Sequence, residues 1–191
     1  MNLKPQDTLV LLKLVSIGDP HWVYSKLAME LSMSASEIHA AMKRAYSAGL
    51  LIDKGDTTMP DAKNLEELLV YGVKYVFAPE RGGLCMGMPT AHAAQPLCDR
   101  VAHDDTKPPV WPDPNGKVQG LAFSPLYKSV PDAARLDSKL YELLALVDAI
   151  RAGRTREKTL AIKEINIRLK QYVNRNNWGQ NQYIASRRKT G

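Results

Sequence analysis

The tightest constraint on this chain is the tetrapeptide Ser34-Ala35-Ser36-Glu37, set between two short segments of helical apolar period. A Ser three residues ahead of a Glu makes a capping box, in which the hydroxyl accepts from the amide of residue 37 and the carboxylate accepts from the amide of residue 34. A helix is therefore predicted to start near Ala35. It ends near Ala48, because Gly49 tolerates the left-handed backbone that closes a helix, and Leu50-Leu51-Ile52 then has the character of a buried strand.

The segment before the box carries Leu27, Ala28 and Leu31 on one helical face, and the helix after it turns Ile38, Met42 and Ala45 to meet them, with Met33 plugging the turn. Further upstream, LKPQDTLVLLKLVSIG has apolar positions at Leu9, Leu12 and Val15 to Ile17, with Pro5 suited to a first helical turn. That predicts a third, supporting helix. Outward on the capped helix remain Ser36, His39, Ala40, Lys43, Arg44 and Ser47, a small, polar and basic surface suited to a major groove.

Residues 3 to 53, through the pattern LAMELSMSASEIHAAMKRAYSAGLL, resemble the winged helix-turn-helix domains of bacterial regulators of the broad MarR and ArsR type. The resemblance covers little more than a quarter of the chain. It implies a sequence-specific DNA-binding transcriptional regulator, a repressor acting as a homodimer, with double-stranded DNA as partner and terminal helices at the dimer interface. Ser34 and Ser36 are expected to approach phosphates at the helix N-terminus. His39, Lys43, Arg44 and Ser47 face bases and backbone, Tyr24, Ser25 and Lys26 brace the preceding helix, and Lys54 sits in the wing. Beyond Lys54-Gly55-Asp56, the sequence TTMPDAKNLEELLVYG reads as a helix instead of an immediate returning strand. The alternative is a protein-interaction module, such as the antitoxin-like partner of a neighbouring gene's product, because trihelical scaffolds also serve as docking units.

Charge bears on this reading through its distribution. Residues 1 to 150 hold 15 Lys and Arg against 18 Asp and Glu, whereas residues 151 to 191 hold 11 against 2. Residues 1 to 55 are nearly neutral, with 6 basic and 5 acidic side chains. Phosphate neutralisation supplies most non-specific DNA affinity, so one copy of the N-terminal unit would bind weakly. Pairing of two copies, or the basic C-terminal segment, is needed.

The middle of the chain is less regular. A helix capped by Asp61 is predicted over DAKNLEELLVYG, followed by a strand over VKYVF at 73 to 77. Asn115-Gly116 signals a hairpin between Val110-Trp111 and Val118 to Phe123, with the nearby prolines confining the first arm to an edge. Residues 79 to 98, rich in glycine, read as a loop forming a pocket wall or an arm around another subunit. No phosphate-binding glycine motif, nucleophile elbow or paired catalytic carboxylate is present, so neither an enzyme nor a cofactor is expected. Cys85, His92, Cys98 and His103 are acceptable zinc ligands chemically, but their spacing lacks a tight knuckle, and thiols without metal are the expectation.

From Asp132 to Gly153 one amphipathic helix is predicted, and from Thr155 to about Val173 another, striped with Leu160, Ile165, Leu169 and Val173. The polar end of the chain reads as a flexible tail whose Arg187, Arg188 and Lys189 engage DNA or a partner. The expectation is thus an α+β, mainly α protein: a winged helix-turn-helix over 1–58, an α+β dimerisation, partner or ligand domain over 59–174, and a basic tail over 175–191. With no apolar run of the roughly 18 residues a membrane span requires, no secretory signal and two cysteines, a cytoplasmic protein without membrane contact is expected.

Overall fold

The computed structural model describes residues 2–54, 56–101 and 107–187, with 177–187 described by backbone alone. The fold is α+β and mainly helical. Three helices come first, α1 (Pro5–Ile17), α2 (Tyr24–Glu30) and α3 (Ala35–Ser47), followed by strands β1 (Leu51–Lys54) and β2 (Thr57–Pro60). Both helix-boundary signals of α3 act as expected: the Ser34 and Glu37 side chains form the reciprocal box, and Gly49 adopts a φ of 71°.

Helix α1 is the centre of the molecule. Every residue from Asp7 to Ser16 is buried, because α3 packs on one side of it and a C-terminal helix on another. A helix hydrophobic all round is one covered all round, and LVLLKLV is such a sequence.

The segment after Lys54 departs from the helical expectation. Thr57 to Pro60 does return as a strand, antiparallel to β1, with Lys54 opposite Thr57 and Leu51 opposite Pro60. Its threonines suit a strand, and the helix begins only at Ala62, where the Asp61 carboxylate accepts from the amides of Lys63 and Asn64. The hairpin therefore runs past residue 58, where the sequence suggested a boundary. Helix α4 (Ala62–Glu67) passes through a π-helical turn (Leu68–Gly72) into α5 (Val73–Val76). The predicted strand at 73 to 77 is thus helical. Val73 and Phe77, four residues apart, are both buried, while Tyr75 and Val76 are exposed, so packing selects the helical period over the alternating one.

Of residues 79 to 98, the stretch from Arg81 to Pro89, which holds all of the segment's glycines, is a strand, not a loop, and a 3-10 turn follows at Ala91–Ala93. β3 (Arg81–Pro89) pairs antiparallel with both β4 (Pro109–Pro112) and β5 (Val118–Phe123), and β4 and β5 meet in parallel, closing three strands on themselves. The Asn115-Gly116 turn exists, but it carries the chain across β3 instead of folding β4 back on β5. A Cβ on Gly87 would lie 2.2 Å from the Trp111 carbonyl oxygen, and one on Gly116 would lie 2.3 Å from Gly87 Cα. Only glycine permits that crossing. Nor is β4 an edge: Pro108 and Pro109 still accept from the amides of Leu121 and Thr90, and a proline lacks only the donor.

At the C-terminal end, the single helix expected from Asp132 is broken into α6 (Val130–Leu136) and α7 (Ser138–Ala152). Asp137 lies between them in extended backbone. Its carboxylate caps α7 through the Leu140 amide and also accepts from Lys13 Nζ and Ser16 Oγ of α1, at 2.8 and 2.7 Å. Lys13, buried, bonds Glu30 of α2 as well, at 2.8 Å. These two carboxylates raise the Lys13 pKa against the opposing pull of burial. Helix α8 (Thr155–Arg187) buries Ala161, Ile165, Leu169 and Tyr172, a stripe rotated from the expected one, with Val173 exposed and Leu160 half-buried. The rotation lets Glu157, Glu164 and Asn176 lie on the packed side too. The backbone of the expected tail is helical to Arg187, since α8 simply continues; Arg188 and Lys189 lie outside the described residues. One apolar core joins α1 to α3 with α4 to α8 and the closed strands.

Candidate nucleic-acid interface

The outward face of α3 is where the sequence placed a reading surface. Ser34, Ser36, His39, Lys43 and Ser47 are all exposed along it. At its N-terminus, Ser34 Oγ accepts from the Glu37 amide at 3.2 Å and donates to Glu37 Oε2 at 2.7 Å, and that same Oε2 accepts from the Ser34 amide at 2.8 Å. Ser36 Oγ lies 3.1 Å from Ser34 Oγ. At the other end, Ser47 Oγ donates to the Lys43 carbonyl at 2.9 Å, which spends its proton on the helix.

Aromatic contacts fix this face relative to the hairpin. The His39 and Tyr24 rings stack with centroids 4.4 Å apart and planes 4° from parallel. Tyr24 meets Trp22 edge-on at 5.0 Å, and Trp22 Nε1 donates to the Thr58 carbonyl of β2 at 3.0 Å. Hairpin, α2 and α3 are therefore joined through Trp22, Tyr24 and His39. The sequence signal for Trp22 is an aromatic pair, Trp22 and Tyr24, on either side of the N-cap of α2. Tyr46 makes a second tie: its hydroxyl donates to Asp53 Oδ2, and Thr58 Oγ1 donates to Asp53 Oδ1, both at 2.8 Å. The Thr58 and then the Tyr46 hydrogen bond hold the Asp53 pKa below its ordinary value.

Arg44 does not belong to this surface. It is 8% exposed, and its Nε and Nη2 donate to the two oxygens of fully buried Asp7 at 2.8 and 2.6 Å. Located three residues from Ala41, it lies at the margin of the α3 face that packs on α1, where small Ala41 and Ala45 bring the helices together and α1 presents a carboxylate. Of the remaining expected contacts, Ser25 and Lys26 are exposed on α2, Tyr24 is half-buried in its stack, and Lys54 is half-buried at the end of β1. Lys26 is 3.8 Å from Glu30. The side chain of Arg187 is not described, and Arg188 and Lys189 are outside the described residues. Lys43 is the one cation on the outward face of α3 among the described residues.

A residue from the second half of the chain reaches α3. The Tyr127 hydroxyl, in the loop after β5, donates to Glu37 Oε1. This hydrogen bond, with those from the Ser34 amide and hydroxyl, lowers the Glu37 pKa from 4.5 to about 2. A carboxyl whose folded pKa is depressed stabilises the fold fully above its unfolded value and ceases to do so as pH falls toward the folded one. The Glu37 contribution is therefore present above about pH 4.5 and lost between there and about pH 2. Tyr127→Phe is expected to raise the Glu37 pKa and to move acid unfolding to higher pH. Carboxyl-carbon NMR titration checks this, and an unchanged Glu37 midpoint would contradict the contact.

Among the described residues no group of three or more His, Cys, Asp or Glu side chains is placed to hold a metal ion. Cys85 is half-buried on β3, Cys98 is exposed beside Asp99, and His92 Nδ1 lies 3.5 Å from Glu157, while His103 is outside the described residues. No described helix is long and apolar enough to cross a membrane. Compared with protein-family models, with curated proteins and with solved structures, the chain matches none.

Proposed function

We propose that this protein is a sequence-specific DNA-binding regulator of winged helix-turn-helix type, a repressor that binds its operator as a homodimer and presents α3 to the major groove. The observation that carries the reading is the open outer face of α3, capped at its start and tied to an antiparallel hairpin through Trp22, Tyr24 and His39. In this reading Lys43 and the stacked His39 meet base edges, and the Ser34 and Ser36 end approaches phosphate. Lys54 and Lys26 flank it. With Arg44 withdrawn into the core, the face is even less basic than the sequence suggested, so pairing of two copies matters more for affinity.

The test is genomic footprinting, followed by gel shifts on the sites recovered. His39→Ala with Lys43→Ala is expected to weaken operator binding by about tenfold or more, at about 1–3 kcal/mol per good base contact, while Lys43→Ala alone, which leaves the His39–Tyr24 stack in place, is expected to weaken binding without altering thermal unfolding. Undiminished affinity would show that α3 does not read the operator. The competing reading, a protein-docking module, draws on Tyr71, Tyr75 and Val76, which are 69%, 77% and 60% exposed around the π-helical turn, with Lys74 Nζ over the Tyr75 ring. An empty footprint together with co-purification of a stable heteromer would favour it.

A further inference from the structure

A cleft of about 210 Å³ opens where β3 and β5 meet the junction of α7 and α8, far along the chain from α3. Its apolar floor is formed by Ala91, Pro109, Leu121 and Phe123, and Arg81, His92, Lys107 and Arg154 stand around it. Like charges that converge raise one another's energy unless an anion lies among them. The acid in the lining, Glu157, is already engaged: its Oε2 accepts from the Arg154 amide at 2.9 Å and lies 3.5 Å from His92 Nδ1.

The cations of the lining are Arg81, Lys107 and Arg154, all three exposed. Arg81 donates Nη2 to the Ala152 carbonyl at 2.9 Å, which fixes the guanidinium at the end of α7 and leaves its other donors for a ligand. Among the described residues, neither the Lys107 nor the Arg154 side chain has an acidic partner. A planar guanidinium held in place and two further exposed cations beside an apolar floor make a receptor for an oxyanion with a short apolar stem. The volume is below the roughly 300–1,000 Å³ of pockets for drug-sized ligands, which limits the ligand to a small molecule.

We propose that this cleft binds a small organic anion through its carboxylate or phosphate group. Arg81 and Arg154 grip the oxygens, Lys107 closes over them, and Leu121 and Phe123 cover the stem. Binding here is independent of whether α3 reads DNA.

Isothermal titration of the full chain with butyrate and, separately, with propyl phosphate tests this, with ionic strength held constant by chloride. Saturable binding of either supports the site, and which of the two binds more tightly identifies the head group. Lys107→Gln with Arg154→Gln is expected to weaken binding by about tenfold or more, since each tenfold is 1.4 kcal/mol and a charged hydrogen bond is worth about 1.5–3 kcal/mol. Lys163→Gln with Lys170→Gln, equal in charge but exposed elsewhere on α8, is expected to leave binding unchanged. Leu121→Glu, at a position 43% exposed, places a carboxylate in the cleft and is expected to abolish binding without unfolding the protein. Absence of binding by both probes, or equal binding in the Lys107/Arg154 variant and its control, overturns the proposal.

Discussion

Arg44→Ala is expected to cost the protein about 3–5 kcal/mol of folding stability, the usual consequence of leaving one partner of a buried ion pair alone. Asp7 is 0% exposed; Arg44 donates to both of its carboxylate oxygens, and among the described residues the one other donor to it is the Lys4 amide, to Oδ2 at 2.9 Å. Removing the guanidinium strands a carboxylate between α1 and α3, at the centre of the molecule. Because the penalty arises from the stranded charge, replacing both partners, Asp7→Leu with Arg44→Met, is expected to cost far less than the two single changes summed. Denaturant titration of the wild type, both single variants and the double variant measures this coupling. An Arg44 that contacted DNA would behave oppositely: the variant would keep its unfolding midpoint and lose only operator affinity. A midpoint for Arg44→Ala indistinguishable from the wild type would remove the structural assignment.

That contrast shows where the sequence was legible. Local signals with a backbone mechanism were readable: the box at Ser34 and Glu37, the left-handed Gly49, and Asp61 ahead of α4 each satisfy backbone groups within a few residues of themselves. What sequence could not supply was the partner across the core. Arg44 looked like another outward cation on a basic face because Asp7, 37 residues away, was the reason for its position. Asp137 likewise sits inside an apolar helical period, and only its bonds to Lys13 and Ser16 of α1 explain why the backbone opens there. For Val73 to Phe77 both periods fit the letters, and burial of residues 73 and 77 decides. β3 was hidden because glycine is poor in strands in general, whereas here Gly87 and Gly116 together let the chain cross β3 beside Trp111. In the candidate interface, the individual side chains of α3 were visible, but the stack of His39 on Tyr24 and the reach of Tyr127 to Glu37 join positions 15 and 90 residues apart.

The closed strands depend on a second buried charge, and Asp148→Ala is expected to cost about 3–5 kcal/mol. Asp148 is 1% exposed within the apolar stripe of α7. Its Oδ2 accepts from Thr90 Oγ1 at 2.8 Å and from Trp111 Nε1 at 2.6 Å, and its Oδ1 accepts from Arg151 Nη1 at 2.6 Å. Thr90 follows β3 and Trp111 lies in β4, so a single carboxylate on α7 holds two of the three strands. Arg151, in turn, donates to the carbonyls of Phe77 and Ser124 at 2.7 and 3.1 Å, which secures the end of α5 and the exit of β5. Truncating Asp148 therefore leaves an indole N–H and a hydroxyl without this acceptor and the Arg151 guanidinium without its counter-charge, each buried neutral group alone costing about 1–3 kcal/mol. Asp148→Asn keeps the volume and one acceptor oxygen, and is expected to fall between wild type and Asp148→Ala, because it removes the charge facing Arg151 but not every bond. Near-ultraviolet circular dichroism during denaturant unfolding reports the packing of Trp111, which is 0% exposed. If Asp148→Ala kept both the wild-type midpoint and that aromatic signal, the strands would have to be held by apolar burial alone, and the charges along α7 would have no part in closing them.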